Sequence, residues 1–307
     1  MHKNLKTVLV LGNGFDLDLG LKTRYSDFAK SEHWSNLFDK NVEKSKSYSL
    51  LKYLNDRKEK DCWFDIEQSL FEYASVKTKD IFIHDLETDK REFRLICDSL
   101  GRYLDSQVET PKLINRNSIA LQLIQELFHF DGLDKLIYSF NFTPVKKIMN
   151  FFDIFHVENV NYVHGDNEQK SLILGIDVKS LDEIIPEYSF LIKSNSLNYK
   201  PSNIEYDMIY AKDVFIFGHS LNMIDAVYFD DYLKFISTNK DDDKHLTIIT
   251  KDIDSKVQIL DNIRRLGVSV PKLYSHGHLE FILTDNIKKN EGPDKYLFES
   301  LTKRMCV

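Results

Sequence analysis

The sequence predicts an α/β fold in which helices cover both faces of a parallel sheet. The first supporting observation is a short β-branched and aliphatic run at 7–11, which ends at Gly12 as buried parallel strands typically do. The second is the stretch at 30–130, which has helical periodicity and no convincing strand pattern. The third is that short apolar runs alternate with helical patterns after Gly132, as they do in parallel sheets.

Most strands of the sheet are expected in the second half of the chain. After the first strand, helical spacing begins near Asp16. We predict further strands at 135–140, 160–163, 171–176, 214–217 and 246–249. The best helix candidates between them are 145–152, 224–236 and 255–266.

The segment at 30–130 carries three apolar stripes with helical spacing. Pro111 separates the second stripe from the third, because proline ends a helix, and Asp89 is a candidate N-cap of the second helix. We therefore expect a Rossmann-like nucleotide-binding domain formed by 1–30 and 131–307, with a helical insertion at 31–130 after the first βα unit. The stripes are Ile66, Leu70, Phe71 and Ala74, then Phe93, Ile96, Cys97, Leu100 and Leu104, then Ile119, Leu123, Ile124 and Leu127.

The composition suits one large domain or two small ones in a reducing compartment. The chain has 307 residues, of which 42% are hydrophobic, so it can bury a sizeable core. Its formal charge of -7 provides no overall attraction to nucleic acid. Cys62, Cys97 and Cys306 lie far apart, so we expect neither a disulfide framework nor a zinc ribbon, and we predict a cytoplasmic location. The apolar run before Gly12 is too short for a membrane span.

Small and polar residues follow each of the predicted strands. Ligands of open parallel sheets bind beyond the carboxyl ends of the strands, so these residues are expected to meet at one edge. Each of these residues can also be explained by an ordinary structural role in a turn or a helix cap. Their joint placement at one edge favours a binding site. The candidate binding residues are Gly12, Asn13, Gly14, Phe15, Asp16, Gly218, His219, Ser220 and Asp225, and the candidate catalytic residues are Asn141 and His164.

Gly12, Asn13 and Gly14 form the loop that we expect to hold the phosphates of a nucleotide. Glycine permits a tight strand-to-helix turn and close approach of the backbone, and the following helix offers amide groups to an anion. Leu17 stands where the dinucleotide fingerprint has its third glycine. From these residues alone, an ordinary tight turn therefore explains the two glycines as well as phosphate binding does.

His164 and Asn141 are the candidates for chemistry. A histidine near neutral pKa can act as a general base or bind a ribose hydroxyl, whereas a structural role is the alternative. Asn141 can instead bridge backbone groups in a turn. Asp225 can be a carboxylate that a helix dipole favours. Asp65 and Glu67 lie two positions apart on a predicted helix, so at most one of them faces a crevice.

Several short motifs follow one another in a specific order along most of the chain. They are VLGNGFDL at 10–17, GLKTRYSDF at 20–28, WFDIE at 63–67, SFNFT at 139–143, VHG at 163–165, LGID at 174–177 and FGHSL at 217–221. In this order they resemble the AbiH family, which comprises bacterial abortive-infection proteins that act against phage, and the resemblance implies a role in phage defence.

A more distant resemblance links the same motif order to sirtuin-type NAD-binding domains. Gly12, Gly14 and Gly20 match the glycine loop in spacing. By this resemblance Asn141 corresponds to the motif asparagine, His164 to the catalytic histidine, and Gly218 with Ser220 to a late nucleotide contact. The chain departs from the pattern at Asp16, where sirtuins carry serine, at Lys22, where proline is usual, and at Thr143, where an acidic residue follows the asparagine motif.

The resemblance implies NAD as a substrate that is cleaved at the nicotinamide–ribose bond. The chain cannot build the four-cysteine zinc module of sirtuin deacylases, so NAD hydrolysis rather than deacylation is expected, without a metal. A His276-Gly277-His278 stretch lacks an identifiable third metal ligand. A phage-derived trigger and a homo-oligomer are compatible with this interpretation, and neither a membrane nor nucleic acid is expected as a partner.

Two alternative functions are also compatible with the sequence. The site can bind a nucleotide as a signal, without turnover, or the chain can be a phosphoesterase that acts on nucleotides or nucleic acid. A nuclease of that kind normally needs clustered carboxylates for its metal, and the sequence alone identifies none that converge.

Overall fold

The computed structural model describes residues 7–41, 49–60, 65–75, 85–128, 134–154, 160–165, 171–178, 180–239, 243–276 and 279–305. Its strands are β1 (Thr7–Leu11), β2 (Lys135–Ser139), β3 (Val160–Tyr162), β4 (Asp213–Phe217), β5 (His245–Thr250) and β6 (Glu280–Leu283). Its helices are α1 (Asn13–Asp18), α2 (Tyr25–Ala29), α3 (Glu32–Asn41), α4 (Leu50–Lys60), α5 (Ile66–Ala74), α6 (Leu86–Gln107), α7 (Ile119–Leu127), α8 (Val145–Asn150), α9 (Ile204–Tyr210), α10 (Asp230–Thr238), α11 (Ile253–Arg265), α12 (Val270–His276), α13 (Thr284–Lys289) and α14 (Asp294–Met305).

The six strands form one sheet in the order β3-β2-β1-β4-β5-β6, and every neighbouring pair is parallel. The chain runs outward from β1 to β2 and β3, then returns to place β4 on the other side of β1. The strand order therefore reverses between β1 and β4, where Leu11 lies opposite Phe217. This topology confirms the predicted Rossmann-like α/β fold, in which ligands bind at the reversal point.

The central strand β1 is buried on both faces of the sheet. Successive side chains of a strand point to opposite faces, yet Val8, Leu9, Val10 and Leu11 are all at most 1% exposed. On one face Val10 and its neighbours belong to a core cluster with residues of α9, α10 and α11. Continuous apolar runs are what a strand needs when both of its faces are covered, which explains the sequence of β1.

The predicted strand at 171–176 is wrong, and β6 was not predicted. Within 171–176 only Ile176 forms a bridge, an isolated one with Ile192, and Gly175 has a φ of +158°. That segment has the short apolar run of a strand but has no place in the six-stranded sheet. β6 is only four residues long and pairs with β5 at the sheet edge, so its local signal is weak. The predicted helix at 224–236 begins as a 3-10 turn, Ala226–Tyr228, before α10.

The chain divides into two compact units. The first comprises Met1–Leu21, Thr110–Val163 and Pro201–Val307, and the second comprises Lys22–Glu109 and His164–Lys200. This division and the predicted domains differ over 110–130, which belongs to the first unit, and over 22–30 and 164–200, which belong to the second. The predicted insertion and the second unit coincide over 31–109. Within the described residues, no helix is both long and apolar enough to cross a membrane.

The second unit contains α2 to α6 and corrects the predicted role of Asp89. Helix α6 begins at Leu86, and its N-cap is Asp85, whose side chain accepts a hydrogen bond from the Thr88 amide. Asp89 is buried and instead accepts from the Leu50 amide at 2.9 Å, so it caps α4 from a distant part of the chain. Glu92 accepts from the Leu51 amide at 2.8 Å, and burial raises the pKa of its carboxyl.

Candidate functional site

The glycine loop, residues 12–14, touches the loop after β4 backbone to backbone. The amide of Gly12 donates to the Phe217 carbonyl at 2.9 Å, and the amide of Gly14 donates to the Gly218 carbonyl at 2.8 Å. A Cβ at Gly14 would lie 2.6 Å from the Gly218 Cα, a distance that real Cβ atoms do not tolerate. The glycines are therefore required by contact between two protein loops, which is a different reason from the predicted approach of a phosphate.

Few amides of this loop face outward. The Phe15 amide donates to the Gly12 carbonyl at 2.9 Å, so the amides of Gly12, Gly14 and Phe15 are all engaged inside the protein. Phe15 is itself buried, with its ring edge-on to Phe217. Asn13 is the exposed residue of the loop. Of the three loop residues, Asn13 is therefore the one most open to solvent.

Asn141 is tied to the glycine loop from the neighbouring strand. It follows β2, and its Nδ2 donates to the Gly12 carbonyl at 3.0 Å and to Asp16 Oδ1 at 2.9 Å. Thr143 Oγ1 donates to the other carboxylate oxygen of Asp16, Oδ2, at 2.8 Å. Asp16 is 1% exposed, and the three side chains form one buried network at the carboxyl ends of β1 and β2. The structure thus brings together two of the candidate site residues, Asp16 and Asn141, and adds Thr143.

The loop after β4, residues 218–225 and called here the β4 loop, has an uncommon backbone. Gly218 has a φ of +65° and Leu221 a φ of +50°. A leucine in the left-handed region costs about 1–2 kcal/mol, so surrounding contacts must hold it there. The Asn222 side chain accepts from the amides of Ile224 and Asp225, and the Ser220 carbonyl accepts from Asn262 of α11 at 3.0 Å. Asn262 was not predicted, since nothing local distinguishes it on its helix.

His219 organises the same loop from inside. Its Nδ1 accepts from the Leu221 amide at 3.0 Å, so in the neutral ring the proton lies on Nε2. Nε2 is 3.2 Å from Asp225 Oδ2, and both residues are buried. The ring packs edge-on against Phe140, at 4.5 Å between centroids, and beside Phe229. With both nitrogens engaged, His219 positions Asp225 and the strained Leu221.

His164 lies in the other compact unit. It lies two residues after the end of β3, but it belongs to the second unit, whereas Asn141 and the glycine loop belong to the first. His164 is buried, and its carbonyl accepts from the Ile173 amide at 2.8 Å. Gly165 has a φ of +72°, and a Cβ there would meet the Ser171 carbonyl oxygen at 1.9 Å. The catalytic role assigned to His164 stays a prediction.

A buried lysine that the sequence did not single out joins two motif carboxylates of the second unit. Lys193 is 1% exposed, and its Nζ lies 3.2 Å from Glu67 and 3.4 Å from Asp177 Oδ2. Asp65 faces elsewhere, because it caps α5 by accepting from the Gln68 amide. One of the pair at 65 and 67 therefore caps a helix and the other binds the lysine, while Trp63 and Phe64 of the same motif lie outside the described residues.

The predicted histidine pair near the C-terminus is described only in part. His276 Nδ1 is 3.0 Å from the Ser237 carbonyl oxygen, and His278 lies outside the described residues. Across the ranges that the structure describes, no three His, Cys, Asp or Glu side chains are grouped as potential metal ligands.

Comparison with known proteins identifies the family. No curated protein matches the chain. The family model described as Bacteriophage abortive infection AbiH matches residues 8–243, which include the glycine loop, Asn141, His164 and the β4 loop. The match covers well over half of the 307 residues. The chain therefore belongs to the AbiH family, and its role is in the abortive-infection response to bacteriophage.

Proposed function

We propose that this chain binds NAD at the carboxyl edge of its sheet and hydrolyses the bond between nicotinamide and ribose. The observation that carries the proposal is the meeting of the glycine loop, Asn141 and the β4 loop beyond the adjacent strands β2, β1 and β4. This edge includes the point at which the strand order reverses, where open α/β sheets bind ligands. Loss of NAD also fits abortive infection, since a cell without NAD cannot support phage growth.

The contact between Asp16 and Thr143 supports the resemblance to sirtuin-type domains. Those domains carry a serine where this chain has Asp16 and an acidic residue where it has Thr143. Here the Thr143 hydroxyl donates to the Asp16 carboxylate at 2.8 Å. Relative to that pattern the hydroxyl and the carboxylate have exchanged places, and in this chain they form a hydrogen bond.

The proposed reaction consumes NAD and water and yields nicotinamide, ADP-ribose and a proton. Departure of nicotinamide with the bonding electrons leaves an oxocarbenium-like ribose, to which water adds. In this proposal Asn141 positions the ribose or the water, and His164 accepts a proton from a ribose hydroxyl, directly or by relay. The exposed Asn13 is assigned to the diphosphate and Ser220 to the adenosine side. The role of His164 rests on the resemblance alone.

The proposal is tested by incubating the purified protein with NAD and separating nicotinamide and ADP-ribose by chromatography. We expect release of both products by the native protein and loss of release in Asn141→Ala and His164→Ala. General-base help is typically worth about a hundred- to ten-thousand-fold in rate. Circular dichroism checks that each variant remains folded.

Matched controls are the exposed Asn198→Ala and the distant His276→Ala, which are expected to keep full activity. Full activity in folded His164→Ala would remove that residue from the mechanism. Binding of NAD by calorimetry without any nicotinamide release would favour the alternative of a nucleotide sensor. Loss of activity on addition of a chelator would favour the phosphoesterase alternative.

A further inference from the structure

Asn141 can present only an acceptor to a ligand. The two protons of its Nδ2 are directed at the Gly12 carbonyl and at Asp16 Oδ1, which are both acceptors. Flipping the amide would place Oδ1 against two oxygen atoms, so the hydrogen bonds fix its orientation. Oδ1 therefore points away from these two partners. The described part of the chain supplies no hydrogen-bond donor to it.

The orientation of Asn141 depends on two residues behind it. Asp16 holds Nδ2 through one carboxylate oxygen, and Thr143 holds the other oxygen of the same carboxylate. Thr143 is fully buried and Asp16 is 1% exposed. Neither side chain is therefore open to a ligand, and both act through Asn141.

The polarity of this network selects the chemistry of its ligand. A carbonyl oxygen binds hydrogen-bond donors, whereas the oxygens of an ionised diphosphate are acceptors. A diphosphate beside Asn141 would face Oδ1 without a proton between them and would lie near the Asp16 carboxylate, which carries a like charge. A sugar hydroxyl has a proton to donate and no charge, so it fits the same position.

We infer that Asp16 and Thr143 are positioning residues, which hold Asn141 so that its Oδ1 accepts a hydrogen bond from a hydroxyl of the nicotinamide ribose. The diphosphate then lies away from Asn141, toward Asn13. This inference rests on the proposed function and deepens it. It also changes the role expected for Asp16, which acts behind Asn141 and does not contact the nucleotide.

The first test pairs two threonine variants with analogues of the substrate. Thr143→Val keeps the shape of the side chain but removes its hydroxyl, whereas Thr143→Ser keeps the hydroxyl. With NAD we expect kcat/KM to fall about five- to tenfold in Thr143→Val, the cost of one hydrogen bond, and to stay near the native value in Thr143→Ser. With NAD that lacks the 2′- or the 3′-hydroxyl of the nicotinamide ribose, one of the two analogues should show no loss in Thr143→Val.

The loss disappears for that analogue because the hydroxyl that Asn141 recognises is already missing. A merely structural role for Thr143 would lower the melting temperature but leave kcat and KM of the folded protein unchanged. An equal loss of kcat/KM with NAD and with both deoxy analogues would overturn the ribose contact.

The second test does not require NAD. In ¹⁵N-labelled protein we expect slow hydrogen exchange of the Asn141 side-chain amide protons, which are assigned by their loss in Asn141→Ala. Exchange should accelerate about tenfold or more in Asp16→Ala and measurably in Thr143→Val, but not in Thr143→Ser. Rapid exchange in the native protein would overturn the positioning role alone, whereas native protein that neither binds nor cleaves NAD would overturn the proposed function and the ribose contact with it.

Discussion

Gly14 and Gly218 meet at the point where the strand order of the sheet reverses, although they lie 204 positions apart (218 − 14) in the chain. The Gly14 amide donates to the Gly218 carbonyl at 2.8 Å. A Cβ at Gly218 would lie 2.5 Å from the Gly14 Cα, and the φ of Gly218 is +65°. The glycine loop is thus half of a packed pair of loops, and its glycines matter for stability before any ligand is considered.

Gly218→Ala is expected to lower the free energy of unfolding by about 3 kcal/mol or more, through left-handed strain together with a backbone clash. Gly267→Ala is the matched control, because Gly267 has a similar φ of +75° but nothing within 4 Å of the added Cβ. Gly267→Ala should lower the free energy of unfolding by about 1–2 kcal/mol, which is the left-handed strain alone. Urea denaturation followed by circular dichroism measures both. Equal losses would show that the contact with Gly14 is unimportant.

Lys193→Met is expected to destabilise the protein by about 3–5 kcal/mol, because it leaves the Glu67 and Asp177 carboxylates without their buried cation. Lys234→Met serves as the control, since Lys234 pairs with Asp230 at the surface and such pairs contribute about 1 kcal/mol or less. Thermal unfolding compares the two variants. A Lys193→Met variant as stable as Lys234→Met would contradict the assignment of an ion pair that stabilises the second unit.

Asp89→Ala is expected to lower the free energy of unfolding by about 3 kcal/mol or more. The substitution removes the acceptor of three buried donors, namely the Leu50 amide and the hydroxyls of Tyr73 and Tyr188. Asp98→Ala, on the exposed face of the same helix α6, should change stability by about 0.5 kcal/mol or less. Denaturant midpoints measure both variants. Comparable midpoints would mean that Asp89 has little to do with holding α4.

Asp252 is expected to give a pH-dependent contribution to stability. It caps α11, and hydrogen bonds from the Ser255 amide and hydroxyl, with help from Lys251, lower its pKa from 3.8 to about 2. Because the pKa is lower in the folded state, the stabilisation is present above pH 4 and is lost as the pH falls toward 2.

Asp252→Ala should therefore lower the free energy of unfolding by about 1 kcal/mol at pH 7 and by less at pH 3. Carbon-13 NMR of the carboxyl group gives the Asp252 pKa directly. In Ser255→Ala, which removes the hydroxyl donor but keeps the amide, that pKa should rise part of the way toward 3.8. A pKa near 3.8 in the native protein would contradict the capping interaction.

The fold class was predictable because β1, β2, β4 and β5 have local patterns that reflect their burial. The apolar run of β1 is covered on both faces, and the pattern alone indicates this. The segment at 171–176 has an equally good pattern, yet it forms only an isolated bridge through Ile176. Whether a strand-like segment joins a sheet depends on partners elsewhere in the chain, which local periodicity does not encode.

The sequence indicated which strand ends carry polar residues but not the role of each residue. The sequence places Asp16, Asn141 and Thr143 at the ends of neighbouring strands, and the structure joins them in one network. The donors and acceptors of that network are decided by distances between residues 125 or more positions apart. Lys193 was missed for the same reason, since no local signal distinguishes a lysine that ends up buried between two carboxylates.

The sequence by itself determined the α/β class, the family motifs and the edge of the sheet at which polar residues collect. These follow from hydrophobic period, from glycine at strand ends and from motif order, all of which are local properties of the chain. Only the tertiary structure decided that Gly14 packs against Gly218, that Asp89 caps α4, and that Asp16 holds Asn141. Each of these depends on strand order and helix packing, which bring distant residues to within a hydrogen bond of each other.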